Sequence, residues 1–570
     1  MDIDIKLLLY FDSRSVLGDM KHNCENFIIE LNEKTSCKYP PLRFSLEIDL
    51  MDLLDKYPEA GNYLIKEPVK FNNNCNDILF ACLMSFESDF LQYVKPSQIN
   101  INLRVKCVPR FLLNPKLRCY DGITVVQGKL LDVSSITNYV YHTVWSCPEE
   151  CEDNEVILHN IPKVPPKCYS CKSTLFENSG LRKCGDKVVA TFKLDTEILP
   201  RKFVMVDDLI MKLKFGYEYL LYITVLKKRT IVWSIQEVVP LPAPLTTPIP
   251  DDIKELFDKC KGVPWKFVYC LASTIGGRIC PLNNFVTAKI GLLLSLASVK
   301  ANVYCGSPIL HFLATGNDLG YIGRLMCEAA LLAASSAYIG TNSSISTCLI
   351  NASGGICFMP LPLQAYHQKQ IHSILSVIET GDIPPNKAKL RCAVWAYGSD
   401  FKKIILYNFG SVFGTVYRGD CGEYADELAD FTLERAINPS AVTNEEKQAL
   451  NDIRKYIDIV ANVRVTLNAE ADTLLSSYFL AARKERPKAV TVGNFEALVS
   501  TCITSARLCR REVANIHDAV FAIWLHVSGM TEPRFAPDEY LNTPADIAKL
   551  KNIMKKFTEW LENFTGCSSH

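Results

Sequence analysis

Four cysteines in two close pairs are the residues of this sequence whose spacing most resembles a metal site. Cys147 and Cys151 are separated by three residues, Cys168 and Cys171 by two, and sixteen residues lie between the pairs. Four thiolates arranged in this way can surround a zinc ion at Zn–S distances of about 2.3 Å. A segment this short has too little apolar material to fold without such a link. We therefore predict a closed, structural zinc site that is not catalytic.

Two alternatives to this ligand set stay open. The four residues could be unrelated core cysteines, although Glu149, Glu150 and the prolines of the segment make it polar and rich in turns. One of the four ligands could also be replaced by a neighbour in the sequence; the candidates are Cys184, His142 and His159. The chain has 23 cysteines in all, and most of those outside this cluster are scattered among apolar residues, which is typical of reduced, buried thiols in an intracellular protein.

Composition limits the class of protein. With 570 residues and 48% hydrophobic content, the chain can form several domains with buried cores. Its 62 basic and 62 acidic residues cancel, so any contact with nucleic acid must come from local patches. Residues 1–6 lack the features of a secretory signal. The longest apolar run, residues 290–299, is about half the length that a membrane span needs, so we expect a soluble protein with no membrane partner.

The N-terminal part of the chain predicts two folded regions. Apolar residues recur at three and four positions through residues 75–93, which favours a helical subdomain over residues 1–100. β-branched and aromatic residues alternate with polar ones over 101–133 and again over 188–239. We expect a small β-barrel over residues 101–240, interrupted at about 141–187 by an insertion that carries the four cysteines.

A proline-rich stretch separates these regions from the rest. Residues 241–250 contain four prolines, which exclude a helix, and we predict an interdomain linker over 241–262. Short apolar runs then alternate with helical stretches, as in a parallel sheet covered by helices. The runs are residues 309–314, 355–359, 391–396 and 403–406. The expected α/β core spans residues 263–460, a helical lid spans 461–530, and a helical extension spans 531–570.

The C-terminal helices resemble the lid of the minichromosome-maintenance (MCM) ATPases. The matching segments agree in order and spacing; they are residues 478–483, 491–498, 505–508 and 513–525. Upstream, residues 201–209 with Phe215 and Gly216 are similar to an MCM barrel strand and its turn, and residues 275–294 resemble the start of the ATPase core. The resemblance covers nearly the whole chain. It implies a multidomain α+β and α/β protein with a helical N-terminal subdomain, an OB-type barrel with a zinc knuckle, a degenerate AAA+ core and a helical lid.

The sequence departs from the family pattern where the MCM proteins hold nucleotide. A P-loop needs a Lys for the phosphate charge and a Ser or Thr for magnesium. The resemblance places these two positions on Ile322 and Gly323. Arg324 could partly replace the charge of the Lys, but it lies two residues beyond the Lys position. A Walker B strand must end in acids, and here it runs into Pro360 and Leu361.

Three further positions lack the expected groups. The sensor Asn corresponds to Gly398, the finger Arg to Asn408 and the lid Arg to Gly493. Removing one finger-type charge alone typically costs about 10³-fold or more in rate. We therefore predict a pseudo-ATPase that has no catalytic residue and binds ATP weakly or not at all.

Basic residues of the expected barrel are the candidates for nucleic-acid contact, because such barrels bind single strands in basic grooves with aromatic platforms. They are Arg104, Lys106, Arg110, Lys116, Arg118, Lys227, Lys228 and Arg229. The last three are the densest run, and they could equally be a charged hairpin tip that keeps a sheet edge soluble. The resemblance also implies that the DNA-gripping hairpin of active MCM motors would correspond to residues 379–390. Here that interval is shorter than the family pattern and is stiffened by Pro384 and Pro385, so we expect no DNA lever driven by ATP hydrolysis. Lys387 and Lys389 of this interval are either phosphate contacts or solvated turn residues.

Within the family, the altered ATPase motifs resemble those of the MCM domain-containing proteins and the insect meiotic MCM-like proteins. That implies a nuclear, DNA-associated scaffold in meiotic recombination, acting in double-strand-break repair, strand invasion or crossover formation. The implied partners are single-stranded DNA or recombination intermediates, and a second MCM-like subunit that keeps its ATPase. Two other functions stay open: an ATPase-competent ring subunit of an MCM-type helicase, and a scaffold that contacts only proteins.

Overall fold

The chain forms two compact units, residues 1–239 and residues 240–570. The computed structural model describes residues 3–33, 39–109, 112–113, 122–149, 151, 155–226, 229–244, 246–315, 319–360, 366–385, 387–398, 403–418, 425–437, 444–530, 533–544 and 546–567. The division falls at the proline-rich stretch, whose described residues form neither helix nor strand. The predicted boundary near residue 240 agrees with this division.

Helices and one parallel strand pair form the N-terminal region of the first unit. The elements are α1 (Ile3–Ser13), α2 (Val16–Glu33), β1 (Leu42–Asp49), α3 (Leu50–Lys56), α4 (Pro58–Lys66), α5 (Pro68–Met84) and β2 (Ile99–Lys106), with short 3₁₀ helices at Asp89–Tyr93 and Pro96–Gln98 before β2. Strands β1 and β2 pair in parallel over their full lengths. The region is therefore not purely helical, and β2, which we expected to open the barrel, pairs with β1 instead.

The rest of the first unit is a curled antiparallel sheet. Its strands are β3 (Thr124–Val133), β4 (Thr137–Ser146), β5 (Val156–Leu158), β6 (Phe176–Glu177), β7 (Lys183–Leu194), β8 (Arg201–Val206), β9 (Glu218–Leu226) and β10 (Arg229–Glu237), with α6 (Asp208–Met211) between β8 and β9 and a 3₁₀ helix at Ser179–Leu181. The order is β10-β9-β3-β7-β4-β5, with β6 beside β4 and β8 beside β7. Alternate residues of these strands, including Phe192, Met205 and Leu221, are buried in one core, as the period of two predicted.

The second unit contains a five-stranded parallel sheet among helices. Its elements up to the end of the sheet are α7 (Asp251–Cys260), α8 (Pro264–Ser273), α9 (Val286–Cys305), β11 (Phe312–Thr315), α10 (Leu319–Ala330), β12 (Ser336–Tyr338), α11 (Ile345–Asn351), β13 (Ile356–Pro360), α12 (Gln368–Thr380), β14 (Asp382–Ile383), β15 (Ala388–Lys389), β16 (Ala393–Gly398), α13 (Lys403–Phe413) and β17 (Val416–Arg418). The sheet order is β12-β13-β16-β11-β17. Helix α7 occupies residues 251–260, so the prediction that the linker extends to residue 262 was wrong.

Three of the four apolar runs expected to form the sheet do so, in β11, β13 and β16. The prediction of a strand for the fourth run, residues 403–406, was wrong, because these residues begin helix α13. The strand that follows in the sheet is β17, where Tyr417 stacks on Phe312. Gly291 in α9 leaves the space for this ring, since a Cβ there would lie 2.5 Å from a carbon of the Tyr417 ring.

Helix α9 runs through the middle of the second unit. It is long and apolar enough to cross a membrane by length and composition, but 78% of its most apolar window is buried inside the protein, as in the core helix of a folded domain. The buried Ser295 hydroxyl donates to the Leu310 carbonyl and accepts from the Trp395 indole N–H. These bonds fix β16 over the helix.

The remaining helices form the C-terminal part of the second unit. They are α14 (Ala425–Ile437), α15 (Asn444–Val460), α16 (Ala469–Glu485), α17 (Val492–Leu508), α18 (Ile516–Gly529) and α19 (Ile547–Thr565), with a small parallel pair of β18 (Thr466–Leu467) and β19 (Val513–Ala514) and a 3₁₀ helix at Asp538–Tyr540. Asn468 caps α16 by accepting from the Ala471 N–H at 2.8 Å. Helices α16 to α18 pack into the same core as the parallel sheet.

Candidate functional site

The four predicted cysteine ligands come together in the first unit. The Sγ atoms of Cys147, Cys151, Cys168 and Cys171 all lie within 4.8 Å of one another, and those of Cys147 and Cys171 are 3.3 Å apart. A tetrahedral ion with Zn–S bonds of about 2.3 Å would place its sulfur ligands about 3.8 Å apart. The four thiols therefore fit one metal ion. Unrelated core cysteines would not converge in this way.

Two arms of the insertion position the cysteines. Cys147 directly follows β4, and Cys168 begins a turn in which its N–H donates to the Ser173 carbonyl at 2.8 Å. Trp145 and Leu175 pack against the two buried cysteines, and this small cluster is the apolar core of the segment. We refer to residues 147–176 as the knuckle.

Sequence reasoning missed Ser173, which assists one of the ligands. Hydrogen bonds from the hydroxyl and the backbone N–H of Ser173, together with one from Cys147, lower the pKa of the Cys171 thiol to about 6. The thiolate is the form that binds metal, so the surroundings of Cys171 favour coordination by this residue. The hydrogen bond with Cys171 raises the pKa of the Cys151 thiol to about 12, and burial raises that of Cys147, so these thiols must lose their protons when a metal binds. The only signal in the sequence was a hydroxyl residue two positions after the second Cys-x-x-Cys cysteine.

The alternative ligands lie outside this cluster. Cys184 is an exposed residue of β7, and His159 is exposed in the loop after β5. The His142 side chain is buried, and its Nε2 lies 2.9 Å from the Tyr39 carbonyl. Burial lowers the pKa of His142, since the charged imidazole loses its hydration. The structure favours the ligand set with four cysteines.

The strand ends that would surround a nucleotide lie side by side in the second unit. Thr315, the last residue of β11, is paired with Gly398, and Pro360 at the end of β13 is paired with Tyr397. Ligands of parallel sheets bind at these carboxyl ends, near the point where the strand order reverses. In chain order, the first strand of this sheet lies between the fourth and the fifth. Leu361 lies outside the described residues.

The P-loop positions lie on helix α10 and are occupied by packing. The Ile322 side chain is only 1% exposed and belongs to the core of the unit. A Cβ at Gly323 would lie 3.3 Å from the ring of Tyr397, so this ring fills the space beside the position where the family has its magnesium ligand. Arg324 is exposed, with its guanidinium 4.6 Å from the Tyr321 ring centre and its Nε donating to the Gly320 carbonyl. It makes no inward contact that could replace the missing Lys.

The lid position, Gly493, is a point of close backbone contact. A Cβ at residue 493 would lie 2.2 Å from the carbonyl oxygen of Ser411. The buried Asn494 donates to the carbonyls of Gly414 and Gly410 at 2.7 and 3.2 Å, and the Thr491 hydroxyl donates to the Ser411 carbonyl. The start of α17 is thus fixed to the end of α13. No side chain, least of all an arginine, fits at residue 493 in this arrangement.

The finger position and a nearby cavity complete this region. Asn408 is exposed on α13. A cavity of 470 Å³ is lined by residues that include His311, Glu379, Arg483, Gly493 and Glu496. Because His311 precedes β11, the cavity lies near the amino end of that strand. The predicted P-loop, Walker B and sensor positions lie at the opposite, carboxyl end of the sheet, whereas Gly493, the predicted lid position, lines the cavity.

The structure contradicts one candidate for nucleic-acid contact and weakens another. Arg104 is only 6% exposed and its guanidinium binds the Asp208 carboxylate at 2.6 Å, so its assignment to a DNA surface was wrong. Lys106 is exposed, but it pairs with Glu47 at 2.7 Å. The other candidates, either entirely or in their side chains, lie outside the described residues; they are Arg110, Lys116, Arg118, Lys227, Lys228 and Arg229.

The predicted hairpin within residues 379–390 is present as the short antiparallel pair of β14 and β15. Lys389 pairs across it with Asp382 at 2.7 Å, which gives this lysine a structural partner. Lys387 is exposed in the turn. The hairpin has only two residues in each strand, so it is a small projection.

Known proteins resemble the chain in two comparisons. The family model described as MCMDC2, N-terminal domain, matches residues 3–108. Minichromosome maintenance domain-containing protein 2 of Rattus norvegicus is 22% identical, and the alignment covers 92% of this chain and 90% of that protein. The proteins of the same description from Homo sapiens and Mus musculus are 22% and 21% identical, over 92% and 91% of this chain. The chain is similar to these MCM-like proteins along nearly its whole length.

This similarity confirms the resemblance proposed from the lid, the barrel strand and the domain order. The matched N-terminal domain, residues 3–108, contains all elements from α1 to β2. It includes the parallel pair of β1 and β2, which explains why β2 belongs with the N-terminal elements and not with the sheet that follows.

Proposed function

We propose that this chain is a non-catalytic MCM-like protein that acts as a DNA-associated scaffold in the nucleus during meiotic recombination. The observation that supports the proposed loss of catalysis is the close contact at Gly493, the position that the resemblance assigns to the lid arginine, where α17 packs directly on α13. The buried Ile322 and the Tyr397 ring beside Gly323 support the same proposal at the P-loop positions. At these two positions, packing occupies the space that the phosphate-binding Lys and the magnesium ligand would need.

The sheet in the second unit supports its description as a degenerate AAA+ core. Strand β11 is followed by helix α10 at the reversal point of a parallel sheet, which is the context of a P-loop. The curled antiparallel sheet of the first unit, interrupted by the knuckle, supports an OB-type barrel. We propose that the knuckle binds zinc, because a donor set of four sulfurs is typical of structural zinc sites.

ATP turnover tests the catalytic part of the proposal. We expect the purified full chain to release no phosphate from ATP above the buffer control, with or without single-stranded DNA. We also expect no saturable binding of a fluorescent ATP analogue. Turnover that persists through successive purification steps and scales with the amount of the chain would contradict the pseudo-ATPase, and would favour an ATPase-competent ring subunit.

DNA association is tested separately. A protein that contacts phosphates binds single-stranded DNA with an affinity that falls as salt rises, because counterions are released. We expect such binding by the full chain, and coprecipitation from meiotic nuclei with a second MCM-like subunit. Absence of salt-dependent DNA binding would leave the alternative of a scaffold that contacts only proteins.

A further inference from the structure

The second arm of the knuckle, residues 156–176, presents basic and aromatic side chains. This arm contains three lysines and no acidic residue, whereas the five acidic residues of the knuckle all lie in its first arm, residues 147–155. The lysines are Lys163, Lys167 and Lys172, and all three are exposed. Between them lies Tyr169, whose side chain is 86% exposed. A tyrosine usually buries most of its ring, so this degree of exposure needs an explanation.

The turn that holds two metal ligands also orients these side chains. Tyr169 lies between Cys168 and Cys171, and the Lys172 ammonium lies 5.2 Å from the centre of the Tyr169 ring. The N–H of Lys172 donates to the Cys168 carbonyl at 3.2 Å, which closes the turn. The ring and the cation are therefore presented together from a backbone fixed by the cysteine cluster.

The two basic residues of β2 are paired with acidic residues, which leaves the knuckle lysines as candidates for contact with nucleic acid. The arginine first expected to touch DNA is buried against Asp208, and the other basic residue of β2 is paired with Glu47. No ion pair of Lys163, Lys167 or Lys172 is found among the described residues. Within the part of the first unit that the structure describes, the knuckle is where exposed positive charge and an exposed aromatic ring occur together.

We propose that the knuckle tip, defined as Lys163, Lys167, Tyr169 and Lys172, binds single-stranded nucleic acid. One base stacks on the Tyr169 ring and the lysines contact the phosphates on either side. Single strands are recognised by this combination of an aromatic platform with basic side chains, whereas a duplex keeps its bases stacked internally. The inference deepens the proposed DNA association by locating its contact surface.

Two variants of the full chain test the two contributions, with an oligothymidine as the probe. Tyr169→Ala should weaken binding by about 5- to 150-fold, the usual effect of removing one stacking side chain, while Tyr169→Phe should bind like the wild type. The triple variant Lys163→Gln/Lys167→Gln/Lys172→Gln should reduce the slope of log affinity against log salt by about 2, since each phosphate contact contributes about 0.7. Inorganic polyphosphate, which has no bases, should bind Tyr169→Ala as well as it binds the wild type.

The matched control changes three exposed lysines of α19, as Lys549→Gln/Lys551→Gln/Lys556→Gln. It alters net charge by the same amount and should leave oligothymidine binding unchanged. Zinc content is measured for every variant, because lysines close to a zinc–thiolate centre also offset its negative charge. If the knuckle triple variant loses its metal, the Tyr169→Ala variant alone decides whether the knuckle tip binds nucleic acid, because that change removes no charge.

The outcomes separate this inference from the proposed function. Salt-dependent DNA binding by the wild type that neither knuckle variant alters would overturn the knuckle site and leave the DNA-associated scaffold intact. No salt-dependent binding by the wild type would overturn both. Equal losses in the knuckle and α19 triple variants would show that net charge alone matters, which also overturns the knuckle site.

Discussion

At the scale of single residues, the positions at which we propose that catalytic groups have been lost differ in their surroundings. Gly493 and Ile322 take part in tight packing, whereas Asn408 is exposed. A catalytic group that is lost and then replaced by packing cannot be restored by one substitution, because the new side chain would need the same space. Substitution at these sites should therefore affect stability before it affects activity.

We expect Gly493→Ala to destabilise the second unit by about 1–3 kcal/mol, because the added Cβ would lie 2.2 Å from the Ser411 carbonyl oxygen and force α17 away from α13. Urea unfolding measures the change. The matched control is Gly320→Ala in α10, where no heavy atom lies within 4 Å of the new Cβ. A Gly493→Ala variant as stable as the control would show that the contact between the helices is looser than described.

His526 should make stability depend on pH. Burial lowers its pKa to about 4, while an unfolded histidine has a pKa of about 6.5. The unfolded chain therefore binds one more proton between these values, and the free energy of unfolding falls as the pH decreases through that window. His526 alone should account for about 2 kcal/mol between pH 7 and pH 5.

Urea unfolding at pH 7 and at pH 5 checks this. The His526→Gln variant should lose less stability on acidification than the wild type, because glutamine does not titrate. Its amide can keep a hydrogen bond with the Tyr478 hydroxyl, which lies 2.9 Å from His526 Nδ1. Replacement of the exposed His372 by Gln should leave the pH dependence unchanged. Identical slopes for wild type and His526→Gln would refute the assignment.

At the scale of elements, strands were predicted correctly where the order of apolar and polar residues fits a strand and does not fit a helix. The apolar runs that became β11, β13 and β16 are bounded by turns or by Gly and Pro. Strand β7 buries every second residue from Val188 to Leu194, as a strand with one face in the core does. Residues 403–406 were misassigned because four residues, of which three are apolar, fit either a strand or the first turn of a helix. Only the following residues, including the buried Phe409 and Phe413, distinguish the two.

Pairing between distant segments was the part that the sequence could not provide. Strand β1 was missed, and β2 was assigned to the wrong sheet, because nothing local indicates that residues 42–49 and 99–106 are neighbours. Arg104 was misread for the same reason, since its partner Asp208 lies 104 residues away. The cysteine cluster was predictable because both pairs lie within one short insertion.

The knuckle should depend on its metal as an element. We expect Cys168→Ser to abolish zinc binding, because Cys168 is almost fully buried among the four ligands and the segment has only a small apolar core. Native mass spectrometry should find one zinc ion per wild-type chain and none in the variant. The exposed Cys184 lies outside the cluster, so Cys184→Ser should keep the ion; loss of zinc from that control would revive the alternative ligand set.

At the scale of the whole molecule, the chain keeps two folded units while its nucleotide positions are altered at several separate points. Hydrolysis needs all of these groups at once. We expect the double variant Ile322→Lys/Gly323→Ser to remain inactive and to lose at least about 2 kcal/mol of stability, since Ile322 is a core residue and Gly323 faces the Tyr397 ring.

Phosphate release and urea unfolding are measured together on this variant. Arg324→Lys, an exposed change on the same helix, serves as the stability control and should behave like the wild type. Hydrolysis by the double variant would mean that the missing acids and arginines are replaced by groups elsewhere, and the loss of catalysis would then reside in the P-loop alone.

The Tyr397 ring beside Gly323 has a further consequence for an assembly that includes this chain. A nucleotide shifts the equilibrium between two conformations only if it binds one of them more tightly than the other. If this chain binds no nucleotide, as we propose, nucleotide cannot change its conformation. We expect it to keep one shape while neighbouring ATPase subunits pass through their cycles. In a ring or filament that contains this chain, its own conformation would stay constant. The direction and timing of any conformational change at its interfaces would be set by the neighbouring subunits alone.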